Sequence, residues 1–134
     1  MVTITEDYVS FKTAKLLKEK GFDASVTHYY FTQITHVGFK DYPTGVLYTD
    51  SDPQHQNNYK NKVAAPTQAL VMKWLREVHS LHIWIGHAAG KVLPWYYEIH
   101  GISDGKVKHI GGIQCGSYEV TCEAAIKYCL ENLI

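Results

Sequence analysis

The hydrophobic positions of this chain change period within residues 65–88, APTQALVMKWLREVHSLHIWIGHA, and the change predicts a helix feeding straight into a strand. Leu70, Val71, Trp74, Leu75 and Val78 recur at helical spacing. At about 100° per residue they fill an arc of roughly 140°, wide enough to cover a sheet. Gln68, Lys73, Arg76 and Glu77 fall outside that arc. Pro66 suits the first helical turn, because the amide it lacks would have no intrahelical partner; Thr67 suits an N-cap just as well. From Leu81 the period becomes two, with Leu81, Ile83 and Ile85 pointing one way and His82 and Trp84 the other. A helix lying back on the sheet covers the aliphatic face. The opposite face then carries an imidazole and an indole.

Two more helices follow from their caps. Ser10 caps a helix from Phe11 to Lys20 with a stripe of Phe11, Ala14 and Leu17, and Leu16 beside it. Gly21 then takes the left-handed position after the helix and Phe22 packs back on Leu17. Lys18 and Lys20 complement the helix dipole. Ser117 caps a final helix striped by Tyr118, Cys122, Ala125, Ile126, Cys129, Leu130 and Leu133.

Strands fill the rest. Residues 24–33, ASVTHYYFTQ, are β-branched and aromatic; Val26, His28 and Tyr30 share one face and Thr27, Tyr29 and Phe31 the other. Ile34 to Lys40 extends or returns this strand, Tyr42-Pro43-Thr44-Gly45 turns the chain, and Val46 to Tyr48 forms a short strand. DSDPQHQNNYKNK (50–62) has no aliphatic side chain and reads as an exposed loop, more an idle insertion than a functional one. Pro94 keeps out of a strand interior, so the next strand starts at Trp95, with Trp95, Tyr97 and Ile99 alternating with Tyr96, Glu98 and His100. Asp104-Gly105 joins it as a hairpin to Val107–Ile110. Val2 and Ile4 suggest a short strand or ordered arm at the start. Antiparallel hairpins among helices predict an α+β fold, a two-layer sandwich with a mainly antiparallel sheet and helices packed on one face.

The 134 residues suggest a single domain, and 46% hydrophobic with 19% charged residues is ordinary globular composition. Thirteen basic residues balance thirteen acidic ones, which argues against non-specific nucleic-acid or anionic-membrane binding. No stretch reaches the about 20 apolar residues of a membrane span, and MVTITEDYVS lacks the pattern of a signal peptide. Three cysteines fit no zinc or CxxC spacing; Cys122 and Cys129 read as buried small residues and Cys115 falls near a loop. A reduced, cytoplasmic setting follows.

Ten Tyr, three Trp and eight His are the unusual counts. If the aliphatic residues face inward, His82, Trp84, Tyr96, Glu98 and His100 gather on the opposite face, and His28 and Tyr30 join them from the first strand. Indole and phenol rings stack on planar ligands, and imidazoles and hydroxyls hydrogen-bond; a protonated histidine also meets a phosphate. The same residue types suit a subunit interface or a covered core. A second candidate is an anion site of Lys106, Lys108 and His109 with Gly116-Ser117 at a helix start, although a solvated hairpin followed by a capped helix explains these residues better. Glu98, His100 and His82 allow an acid–base reading, but HExxH, GxSxG and paired HxT/HxS motifs are missing. His79 and His82 straddle the helix–strand junction with no third ligand at a defined spacing, so neither metal nor cofactor is expected.

APTQALVMKWLREVHSLHIWI, the tail EAAIKYCLENLI and the opening YVSFKTAKLLKEKGFD together resemble small uncharacterised proteins of phages and mobile elements of gut bacteria. That family carries no established catalytic motif to transfer, and residues 34–62 and 103–117 have no family pattern. The resemblance implies a host-cytoplasmic protein, similar in size and character to phage anti-defence proteins that sequester nucleotide immune signals. The expectation is a non-catalytic, homo-oligomeric binding protein for a small nucleotide-like ligand. A module that inhibits a host protein is the alternative, and a nucleotide hydrolase a third.

Overall fold

A computed structural model describes residues 2–134, apart from the side chains of residues 113–115, so the Cys115 thiol lies outside the described residues. The fold is α+β with antiparallel sheets. The chain folds as two compact units, one of Tyr8–Pro66 and the other of Met1–Asp7 with Thr67–Ile134.

In the first unit, α1 (Phe11–Glu19) is capped by the Ser10 hydroxyl, which accepts from the Thr13 amide. Gly21 follows at φ +88, the Phe22 amide donates to the Leu17 carbonyl and the Gly21 amide to that of Lys18. These are the paired bonds of a Schellman ending, and Phe22 is buried beside Leu17 as the sequence predicts. β1 (Val26–Phe31) is followed by a small hairpin of β2 (Thr35–Val37) and β3 (Lys40–Tyr42), then by β4 (Tyr48–Gln54) and β5 (Lys62–Ala64). β1 is the central strand of a sheet ordered β4-β1-β5.

Residues 50–62 are not an idle loop. Asp50 to Gln54 continue β4, a short 3-10 turn spans Gln56–Asn58, and Gln56 is fully buried. Its amide donates to Asp50 Oδ2 at 2.7 Å and to the Val26 carbonyl at 3.3 Å. The Asn57 side chain donates to the Phe22 carbonyl and accepts from the Ala64 amide, at 2.6 and 2.8 Å. Polar side chains anchor the segment where aliphatic ones are lacking, because they satisfy backbone groups that burial would otherwise leave unpaired.

The second unit contains α2 (Gln68–His79), β6 (Leu81–His87), β7 (Trp95–Gly101), β8 (Val107–Cys115) and α3 (Tyr118–Asn132). Thr67 is the cap of α2, accepting from the Leu70 amide, and Pro66 lies before the helix. Val71 and Leu75 are buried as expected, but Val78 is exposed and Gln68 is buried, donating to the Glu119 carbonyl at 2.9 Å. The buried stripe thus runs through Gln68, Val71 and Leu75 and stops before the last turn. Ser80, in the left-handed conformation (φ 54), carries the chain from helix to strand without a loop, and its carbonyl accepts from Ile102. α2 and α3 pack on one face of the β6-β7-β8 sheet, with Ile83, Tyr97 and Ile99 of the strands and Cys122, Ala125, Ile126 and Leu130 of α3 buried in that core. Val2 and Ile4 are exposed, and no strand forms there among the described residues.

Candidate functional site

β6 and β7 pair residue for residue without a shift: His82 faces His100, Trp84 faces Glu98 and Gly86 faces Tyr96. Directly opposed residues in an antiparallel ladder share a face, so the five residues expected on the side away from the helices are brought together there. Trp84 is 42% exposed, and its ring meets that of Tyr96 edge to face at 5.6 Å between centroids. The His82 and His100 rings are 6.2 Å apart. His100 Nε2 is 3.8 Å from Glu98 Oε2, too long for a hydrogen bond, and has no partner among the described residues.

The electrostatics of this face are mild. Burial lowers the His82 pKa, and Arg76 and His100 push in the same direction. His82 is therefore neutral at pH 7, a donor and an acceptor rather than a countercharge for phosphate. The formal charge among the five is the Glu98 carboxylate.

β8 extends the face with two residues that alternation missed. Ile110 pairs with Glu98 and is 49% exposed; Val107 pairs with His100 and is 55% exposed. Three positions apart, they cannot share a face of a regular strand. A register irregularity beside His100 brings them onto the same side, and nothing in the residue pattern signals it.

His28 and Tyr30 do not belong to this sheet. They lie on β1 in the other unit, where the buried Tyr30 hydroxyl donates to the Val9 carbonyl at 2.7 Å and the His28 ring stacks on Tyr8 at 4.0 Å. Both face the side occupied by Val9 and Phe11 and serve that unit's core. The opposite side of β1 carries an aromatic cluster that the residue pattern does not announce: Tyr29 and Phe31 with Tyr42 and Tyr48. Lys62 Nζ lies 4.2 Å above the Tyr29 ring and 4.8 Å from that of Tyr59. Burial, then Asp50, Tyr42 and Tyr48, raise the Tyr29 pKa.

The anion site is not assembled. Lys108 pairs with Asp104, which also accepts from the Lys106 amide, and Ser117 caps α3 by accepting from Val120. His109 is on the helix side, stacked on Tyr128 at 3.7 Å with the rings almost parallel. His79 lies edge-on to Trp74, and among the described residues no three His, Cys, Asp or Glu side chains converge as metal ligands. Burial pushes the Cys122 thiol up to about 11 and the Cys129 thiol up to about 12, which makes both inert neutral groups at pH 7.

Comparison with protein-family models, curated proteins and solved structures gives no match. Function must therefore be argued from this face itself. Among the described residues, no helix is long and apolar enough to cross a membrane.

Proposed function

We propose that the chain is a non-catalytic binding protein that takes a planar, nucleotide-like ring on the open face of the β6-β7-β8 sheet. The observation that carries this reading is the solvent-open Trp84 with Tyr96 set edge to face against it. Stacking on such rings is worth about 1–3 kcal/mol per base and tolerates any base. Glu98 accepts hydrogen bonds from an amine or ribose hydroxyl, and neutral His82 adds a donor and an acceptor. The setting we propose for it is sequestration of a nucleotide immune signal in the cytoplasm of a bacterial host, by an assembly of more than one copy.

A second reading, docking of a host protein, is favoured by the openness of the face and by exposed Val107 and Ile110, which carry its apolar character across three strands. Heating the purified protein and analysing the released material by mass spectrometry separates the readings. An intact nucleotide-like compound supports sequestration. A cleaved product indicates a hydrolase, and a stoichiometric polypeptide with no small molecule indicates the docking module.

A further inference from the structure

The open edges of these sheets are not alike. An unpaired edge is a template for further strands, and proteins block it with charge, proline, bulges or shortness. β4 carries Asp50, Asp52 and Pro53 and has a register shift against β1. β8 carries Lys108, two register shifts and Gly112 at φ +69. β2, β3 and β5 have three residues each.

β6 has none of these protections. Its seven residues, LHIWIGH, contain no Lys, Arg, Asp, Glu or Pro, and they pair with β7 without irregularity. β6 is nevertheless an edge of its sheet, and among the described residues no strand pairs with its outer side. A seven-residue uncharged strand whose outward amides and carbonyls, on alternate residues, have no strand partner is what natural sheets avoid leaving in water.

We propose that β6 pairs antiparallel with β6 of a second copy of this chain, about a two-fold axis at Trp84. In that register Trp84 faces the second copy's Trp84, Ile83 faces Ile85, His82 faces Gly86 and Leu81 faces His87. All seven residues pair, and any shift leaves strand ends unpaired. Residues of the helix side meet residues of the helix side, and those of the open side meet their own kind, as an antiparallel ladder requires. The contact is self-complementary and closes at two copies. It joins the two three-stranded sheets into one of six and brings both Trp84 rings onto one continuous surface. The pairing belongs to the edge of β6, so it stands whether or not the face binds a ring.

The test is mass in solution by light scattering. The wild type is expected at twice the 15.2 kDa chain mass. Trp84→Lys and Trp84→Glu each set like charges face to face across the axis, and each is expected at the single-chain mass. An equimolar mixture of the two is expected to return to the double mass, because opposite charges then meet. Circular dichroism checks that both variants fold. Hydrogen exchange on the wild type needs no variant: the amides on the outer side of β6 are expected to exchange as slowly as those bonded to β7. A wild type that stays at single-chain mass, charge variants that stay at double mass, a mixture that does not reassociate, or fast exchange at the outer amides overturns the proposal. Ring binding is read separately, by the stabilisation a nucleotide confers.

Discussion

The ring of Tyr96 lies over Gly86, its partner across the β6–β7 ladder: a β-carbon at residue 86 would come within 2.6 Å of Tyr96 Cε1 and 2.8 Å of Trp84 Cζ3. The backbone there needs no left-handed conformation, so glycine is required for space rather than for φ. Gly86→Ala is expected to swing the Tyr96 ring off the strand and leave the fold intact, at a cost of about 1 kcal/mol in lost ring contact. Near-UV circular dichroism reads the lost Trp84–Tyr96 geometry, and thermal melting reads the cost. An unchanged near-UV spectrum would show that the ring has another place to rest.

Residues 50–62 supply the second prediction. Asn57→Ala leaves the Phe22 carbonyl and the Ala64 amide without their bonds, and it is expected to destabilise by about 1–3 kcal/mol. Urea denaturation measures this as a lowered midpoint. A loop of no structural consequence would show no change.

Lys62 makes the third. Its ammonium lies over the Tyr29 and Tyr59 rings, so Lys62→Gln is expected to cost about 1 kcal/mol and Lys62→Arg clearly less, because a guanidinium keeps the attraction to the ring faces. Denaturation midpoints of the two variants, compared with wild type, decide it.

The fourth concerns alkaline pH. Both buried thiols have folded pKa values above the ordinary 9.0, at about 11 and about 12. Above pH 9 the unfolded chain releases thiol protons that the folded chain keeps, so the unfolded state gains. Their contribution is complete below pH 9 and is expected to fall as pH rises from about 9 to about 12. Denaturation midpoints at pH 7, 9 and 10.5 read this fall. At pH 8, Cys115→Ser protein is expected to react with a thiol reagent only after unfolding.

Much of this was legible in the residue pattern, for a physical reason. Where a strand pairs without irregularity, alternation alone assigns faces, and His82, Trp84, Tyr96, Glu98 and His100 fell together as expected. The caps Ser10 and Ser117 and the turn at Asp104-Gly105 are local chemistry, and they too were readable, whereas at α2 the residue types left Pro66 in the first turn and Thr67 as the cap both open. What alternation cannot show is which strands share a sheet: His28 and Tyr30 have the right period but belong to β1. Nor does it show bulges, which is why Val107 and Ile110 were missed. A hydrophobicity pattern is blind to polar burial, so Gln56, Asn57 and Gln68 were placed outside the structure they hold together.

Melting temperatures of wild type and Trp84→Ala, taken with and without a panel of mono-, di- and cyclic nucleotides, test the proposed recognition of a planar ring by the Trp84 face. A ligand at 100 times its Kd stabilises by about 2.7 kcal/mol, enough for a shift of several degrees. At least one nucleotide is expected to raise the wild-type melting temperature and to leave Trp84→Ala, still folded, unmoved. An equal rise in both proteins, or no rise with any nucleotide, would contradict it.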